Sequence, residues 1–266
     1  MAIVRESERN EALPPLLAGK VALVTGAGQG VGEGIARALA AAGAALVIAT
    51  RRAANGEPAA QAIIDRGQQA TFVRCDVGVE GDVVAAVQAS VERFGRLDIV
   101  VHNAVSPPGK PCPVEAVEPD TITSQIATST TAAFFLARAA HQQLCANQGT
   151  MILLTSPAGM EGSGNLPVYA TVKGAQRGLL KSLAREWGPD GIRVNAIAPV
   201  AWTSAMDTAT AANPTLEARL RARTPLGRIG DPEADIGPVA VFLASTLSRH
   251  MTGQTMAVDG GRYLGL

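Results

Sequence analysis

Short apolar runs recur along the chain at Val21–Val24, Ala45–Thr50, Ala70–Arg74, Ile99–Val101, Met151–Thr155, Arg193–Ala198 and Thr255–Val258. Their apolar residues fall mostly on consecutive positions, which predicts strands buried on both faces. The stretches Gly32–Ala42, Pro58–Arg66, Gly81–Phe94, Pro119–Ala146, Val168–Trp187 and Pro232–Leu247 read as helices between them. In the first of these, Ile35, Ala36 and Leu39 mark the helical period. Strands alternating with helices imply an α/β fold, a parallel sheet covered on both faces with right-handed crossovers.

No internal repeat or low-complexity linker divides the chain. Leu13–Pro15 and Val105–Pro113 are proline-rich loops. The longest stretch without a clear pattern is Pro199–Arg228, just past a strand's C-terminal end, where an α/β fold places a lid over its site. Met1–Leu17 is charged and lacks the apolar core of a signal peptide, so 1–16 reads as a loose tail. No stretch is apolar and long enough to span a bilayer. Cationic and anionic side chains balance at 23 each and aromatics make up only 3%. That composition argues against a nucleic-acid surface, which uses a basic face and stacking rings. Cys75, Cys112 and Cys145 are odd in number and form no C-x-x-C pair, as expected of free thiols in the cytoplasm. His102, His141 and His250 lack metal-ligand spacing, so no metal is expected.

Chemistry enters at Thr25-Gly-Ala-Gly-Gln-Gly-Val-Gly32, directly after the first strand. Glycines between a strand and a helix let backbone approach a pyrophosphate, and the helix N-terminus offers free N–H groups to it. With the strand Ala45–Thr50 following, the turn belongs to a βαβ unit. Its spacing is T-G-x-x-x-G-x-G, through Thr25, Gly26, Gly30 and Gly32, and it resembles the short-chain dehydrogenase/reductase family. Gly26, Gln29, Gly30, Val31 and Gly32 are therefore candidate cofactor contacts.

Dinucleotide folds that take NAD place an acid about 20 residues beyond such a turn, on the ribose 2′-hydroxyl. Ala44–Asn55 contains none, and the second strand ends at Thr50-Arg51-Arg52. A guanidinium there suits a 2′-phosphate by charge and fork geometry. The resemblance aligns the acid of NAD users with Thr50 and an arginine of NADP users with Arg51. NADP(H) is favoured, with NAD(H) possible. The resemblance also implies that Asp76 and the Val77 backbone meet the adenine. In place of the family's N-N-A-G, the fourth strand ends in His102-Asn103-Ala104-Val105, which keeps only Asn103 and Ala104 for the cofactor. His102 reads as a packed structural residue rather than a base.

Tyr169 and Lys173 are four residues apart and share one helix face. A phenol ionises near pH 10, and a neighbouring ammonium is expected to bring it down. Ser156, thirteen residues earlier at a strand end, adds a second hydroxyl. Glycine turn, Ser156 and Tyr-x-x-x-Lys in this order strengthen the resemblance, which spans Leu17 to Tyr263. It is also carried by Ile192–Pro199, Pro225–Arg228, Thr252–Gln254 and Val258–Gly261. It implies one doubly wound, Rossmann-type domain over 17–266, with a central parallel sheet of about seven strands. It further implies that Tyr169 exchanges the substrate proton, that Lys173 holds the nicotinamide ribose, and that Ser156 bonds the substrate oxygen. Pro199 joins the cofactor contacts.

The resemblance aligns Ser129 with an asparagine that helps hold a water linking the lysine to solvent, and Val200 with a glycine. Ser129 is accordingly a candidate for the proton path. Val105, Pro157, Trp202 and Met206 are expected to border the substrate beside Ser156. The reading is an NADP(H)-dependent oxidoreductase acting on a small-molecule carbonyl or alcohol. Its alternatives are NAD-dependent alcohol oxidation, or a weakly active nucleotide-binding relative that acts through binding or assembly. The family resemblance, with alanine-rich long helices, implies a homo-oligomer, a tetramer.

Overall fold

A computed structural model of the chain describes residues 15–203, 206–207, 210–211, 213 and 215–263. All but the last two residues of the expected tail lie outside them.

Seven parallel strands form one sheet: β1 Val21–Thr25, β2 Ala45–Thr50, β3 Ala70–Arg74, β4 Ile99–His102, β5 Thr150–Leu154, β6 Arg193–Pro199 and β7 Thr255–Val258. Their order is β3-β2-β1-β4-β5-β6-β7. Side chains alternate between the sheet's faces, so the central strands feed two cores. Val21 and Leu23 join one together with Val100 and Leu153. Ala22 and Val24 join the other with Val101 and Ile152. Both faces are dry, which is why apolar residues run consecutively. Burying one such Leu or Val is worth about 1.5–3 kcal/mol.

The helices are α1 Gly30–Ala41, α2 Ala53–Ile64, α3 Glu80–Phe94, α4 Pro119–Gln125, α5 Ala132–Asn147, α6 Ala158–Glu161, α7 Pro167–Trp187, α8 Leu216–Ala222 and α9 Gly237–Ala244. One core packs under α3, α5 and α7. The other packs under α1, α2 and α9.

Three expected helices differ in form. Pro58 does not open α2 but sits inside it, because the turn after Thr50 already bonds Asn55 N and Gly56 N to the Arg52 carbonyl, 3.2 Å each. The helix expected over Pro119–Ala146 is interrupted by a π-helical segment, Ile126–Thr131. The helix expected over Pro232–Leu247 begins as a π-turn at Pro232–Ile236, capped by the Asp231 carboxylate, and ends at Ala244. Within Pro199–Arg228 the described residues include α8 and a bridge between Ala201 and Gly230.

Strand order reverses between β1 and β4, so their C-terminal ends diverge into a crevice, the place where open α/β sheets bind ligands. The register sets Thr25 beside His102 at its mouth. At the opposite end of the sheet, buried Asp98 accepts hydrogen bonds from Arg96, Lys20 and the Val21 amide. Burial alone would raise its carboxyl, but these donors outweigh burial and hold it below the ordinary range.

Candidate active site

The glycine turn is built against the end of β4. Gly26 has φ +66°, and a Cβ there would lie 2.9 Å from the Ala104 Cα. At Gly32 a Cβ would overlap the Asn103 amide. Asn103 explains the tightness: its Nδ2 donates to the carbonyls of Thr25 and Gly26, 3.1 Å each. Thr25 Oγ1 accepts the backbone N–H groups of Asn103 and Ala104, both at 3.1 Å. Asn103 and Ala104 thus hold the turn open for a phosphate rather than fill it.

Gln29 is the N-cap residue of α1 and makes no side-chain cap. Its Oε1 accepts instead from Asn55, leaving the first N–H groups of the helix uncapped by it. Val31 is half-buried beside it. Thr203 approaches from the far side, its Cγ2 within 3.4 Å of where a Gly30 Cβ would stand. Sequence reading had no signal for Thr203, which lies in the unpatterned stretch. The residues present therefore fit a dinucleotide pyrophosphate: a side-chain-free cradle at a helix N-terminus.

At the end of β2, Arg51 is 68% exposed, and its guanidinium lies 4.0 Å from the Asp76 carboxylate. Arg52 is exposed beside it as the N-cap of α2. Asp76 accepts the Gly78 N–H at 3.0 Å, and Val77 is buried beneath. These residues lie together just beyond the C-terminal ends of β2 and β3.

Ser156 follows β5. Its Oγ accepts the Ala158 N–H at 3.2 Å, which leaves its own hydrogen for another partner. Tyr169 and Lys173 stand on one face of α7, with the Lys173 Nζ 5.7 Å from the Tyr169 ring centre. The expected lowering of the phenol by the ammonium is not what this geometry gives. Burial raises the Tyr169 pKa, the hydrogen bond with Ser156 opposes it, and Tyr263 adds to the rise. Lys173 is itself fully buried, and desolvation brings it down to about 7. Its Nζ donates to the Leu154 carbonyl at 2.6 Å and to Gln176 Oε1 at 3.2 Å, not to the phenol.

Ser129 lies in the π-segment and is fully buried, but its Oγ has no hydrogen-bond partner among the described residues. Its carbonyl is what the surroundings use, accepting from His102 Nε2 and Gln176 Nε2. His102 is held down to about 4, mainly by burial and secondarily by the Lys173 charge. It is therefore neutral, in keeping with a structural residue. Gln176 was missed in the sequence; its spacing of three from Lys173 on a helix was the available signal.

Among the expected substrate neighbours, Val105 is exposed and Trp202 and Met206 are half-buried. Trp202 donates to Asp207, and Met206 N bonds the Thr203 carbonyl. Pro157 is buried behind Ser156. Pro199 ends β6, paired with Val258. The influence of Tyr263 on Tyr169 brings the C-terminal segment to the site, a proximity the sequence did not signal. Among the described residues no group of three potential ligands converges for a metal, and no helix is long and apolar enough to cross a membrane.

A family model described as Enoyl-(Acyl carrier protein) reductase matches residues 26–262. An L-fucose dehydrogenase of Oryctolagus cuniculus is 39% identical, covering 93% of this chain and 86% of its own. A gluconate 5-dehydrogenase of Burkholderia cenocepacia, solved with NADP and tartrate, is 33% identical with a TM-score of 0.87, over 95% of this chain and 98% of its own. A 3-ketoacyl-(acyl-carrier-protein) reductase of Brucella melitensis, solved with NADH, is 34% identical with a TM-score of 0.85, over 93% and 100%. With the glycine cradle, the strand order and the Ser156–Tyr169–Lys173 group in place, these matches make the chain a member of the short-chain dehydrogenase/reductase family and an NAD(P)-dependent oxidoreductase.

Proposed function

We propose that the protein interconverts a carbonyl and an alcohol on a small-to-medium, largely apolar molecule, with NADP(H) as the preferred cofactor. The observation that carries this reading is the meeting of Ser156 and Tyr169 above Lys173, at the same strand ends as the glycine cradle. The nicotinamide supplies or accepts the hydride. The cradle of Gly26, Gly30 and Gly32 would hold the pyrophosphate, and Arg51 the ribose phosphate. Lys173 has its remaining N–H free for the nicotinamide ribose.

The protein's own groups handle the proton. Tyr169, kept protonated by burial, gives its hydroxyl proton to the substrate oxygen as charge develops there. Ser156, already accepting the Ala158 N–H, turns its hydrogen to the same oxygen as a pre-aimed donor. A phenol that rests protonated serves carbonyl reduction; alcohol oxidation needs it ionised and so gains from alkaline pH. Val105, Trp202 and Met206 give the substrate side an apolar border.

The functional unit in this reading is a homo-oligomer, a tetramer built on the outer faces of α5 and α7, where Phe134 is half-exposed in a groove with Leu179, Leu183 and Trp187. The enzyme reading is tested by fluorescence titration of NADPH and NADH and by turnover on a panel of carbonyls and alcohols. Tighter NADPH binding with carbonyl reduction is expected. Tighter NADH binding with alcohol oxidation would favour the NAD-dependent alternative, and binding without turnover a relative that acts through assembly.

A further inference from the structure

Next to Lys173, three polar side chains occupy the interior without a role in the steps above. His102 is 0% exposed and Gln176 1%, while Ser129 is fully buried between them. Burying an imidazole and an amide is costly unless each finds partners. Here they share one: His102 Nε2 and Gln176 Nε2 both lie 3.1 Å from the Ser129 carbonyl oxygen.

The hydrogens on these groups follow from what each partner is able to do. A carbonyl only accepts, so His102 carries its proton on Nε2, and Nδ1 is left to accept from Thr25 Oγ1 at 3.3 Å. An ammonium only donates, so the Gln176 Oε1 faces Lys173 and its NH2 faces Ser129. No alternative arrangement satisfies both contacts. The carbonyl's two lone pairs are then filled. That carbonyl belongs to the π-helical segment Ile126–Thr131, whose hydrogen-bond pattern differs from the α-helical ladder.

We propose that Gln176 is a positioning residue for Lys173: its amide ties the ammonium to the Ser129 carbonyl, which His102 fixes from the other side. The resemblance implies a water between the lysine and this position; in this chain a side-chain amide makes the connection. Ser129 then acts through its backbone, and its side chain is incidental. His102, which the sequence set apart as a departure at the end of β4, is the second half of the same device. The lysine is held between the Leu154 carbonyl and Gln176, so the N–H it offers the ribose has a set direction. An amide bridge also differs from a water in that it does not exchange with solvent.

The inference rests on Lys173 belonging to the reaction centre, and it is tested without any substrate. The chain has four lysines, Lys20, Lys110, Lys173 and Lys181. With 13C-labelled lysine their ε-carbon shifts are followed against pH, and the Lys173 signal is identified by its loss in Lys173→Met. The titratable groups facing the ammonium are His102 from β4 and Tyr169 from its own helix; the first is neutral above about pH 4 and the second is raised by burial. Gln176→Met removes both hydrogen bonds at nearly constant length. Gln176→Glu keeps an oxygen toward the ammonium and adds a charge. The Lys173 midpoint is expected to fall in Gln176→Met and to rise in Gln176→Glu, each by about one pH unit. Circular dichroism establishes folding, and if Gln176→Met does not fold, Gln176→Glu decides alone. A midpoint unmoved in a folded variant overturns the proposal, since a purely structural glutamine would change melting and leave this titration in place. On a substrate found by the panel, Gln176→Met should lose about tenfold in kcat with KM little changed; an unchanged kcat also overturns it. A Lys173 midpoint that shifts as stated in a protein that turns over no carbonyl or alcohol would sink the enzymatic reading and leave the bracket standing.

Discussion

Acid should unfold this protein partly through His102. The imidazole is fully buried, with one nitrogen donating to Ser129 and the other facing Thr25. Its pKa lies at about 4 against the ordinary 6.5, burial being the main cause and the Lys173 charge the second. The unfolded chain therefore binds this proton more readily than the folded one, and stability falls as pH drops below 6.5, the loss being complete below about 4. A gap of that size is worth about 3 kcal/mol in full, and about 2.5 kcal/mol of it is lost by about pH 4.5. For a chain of this length that corresponds to a fall in Tm of about 5–10 °C. His102→Asn keeps a donor for the Ser129 carbonyl and cannot take the charge. Other acid-sensitive groups, Asp98 among them, are shared by both proteins and cancel in the comparison. Urea unfolding of both at pH 7.5 and 4.5 gives the answer: the wild type should lose about 2.5 kcal/mol more than the variant across that interval. Parallel pH dependences in the two proteins would refute the assignment of a neutral, desolvated imidazole.

Other expectations follow from the same geometry. Arg51→Asp should weaken NADPH binding much more than NADH binding, by removing the phosphate partner and placing a second acid beside Asp76; equal losses in fluorescence titrations would reject Arg51 as the discriminator. Tyr169→Phe should abolish most turnover and leave cofactor affinity near normal, since the ring stays and only the transferable proton goes; a near-normal kcat would defeat the mechanism. Ser129→Ala should match or slightly exceed the wild-type Tm, because it deletes a buried hydroxyl that has no partner among the described residues, whereas Ser129→Asn should melt lower from overpacking; the reverse order in calorimetry would show the hydroxyl engaged. Light scattering at micromolar concentration should give a tetramer mass, and a monomer mass would defeat the assembly built on α5 and α7.

The sheet was legible in the sequence because both its faces are dry. A strand such as Val21–Thr25 has no polar position among its first four residues, so its apolar run gives all of the element but its last residue. Helix ends were less legible. The start of α2 depends on the turn after Thr50 and not on Pro58, which marks a helix start by its own chemistry and here is overruled by its context. The π-segment at Ile126–Thr131 was invisible, since its residue types carry no signature of an i→i+5 ladder. In the site, the glycine cradle and Tyr169 with Lys173 were legible because their chemistry depends on spacing within one element. Gln176 and Thr203 were not: the carbonyl that Gln176 meets beyond its own helix, that of Ser129, and the glycine turn beside Thr203 are brought to them by tertiary packing.

That difference bears on how departures from a family pattern are weighed. Read singly, His102 and Ser129 suggest a damaged proton path, because each replaces an amide-bearing residue. In space they meet at one carbonyl, and Gln176 supplies an amide to that same carbonyl from another element. The interior polar groups of this region gain their partners together: without His102 or Gln176 the Ser129 carbonyl has a vacant lone pair, and without the carbonyl both side chains lose a buried partner. Their effects should therefore not add. His102→Leu, which removes the donor, combined with Gln176→Met is expected to cost less stability than the two single losses summed, because the second substitution breaks contacts the first has already loosened. A double-mutant cycle in urea measures this, and strictly additive losses would show three separate buried residues where the geometry places one connected unit.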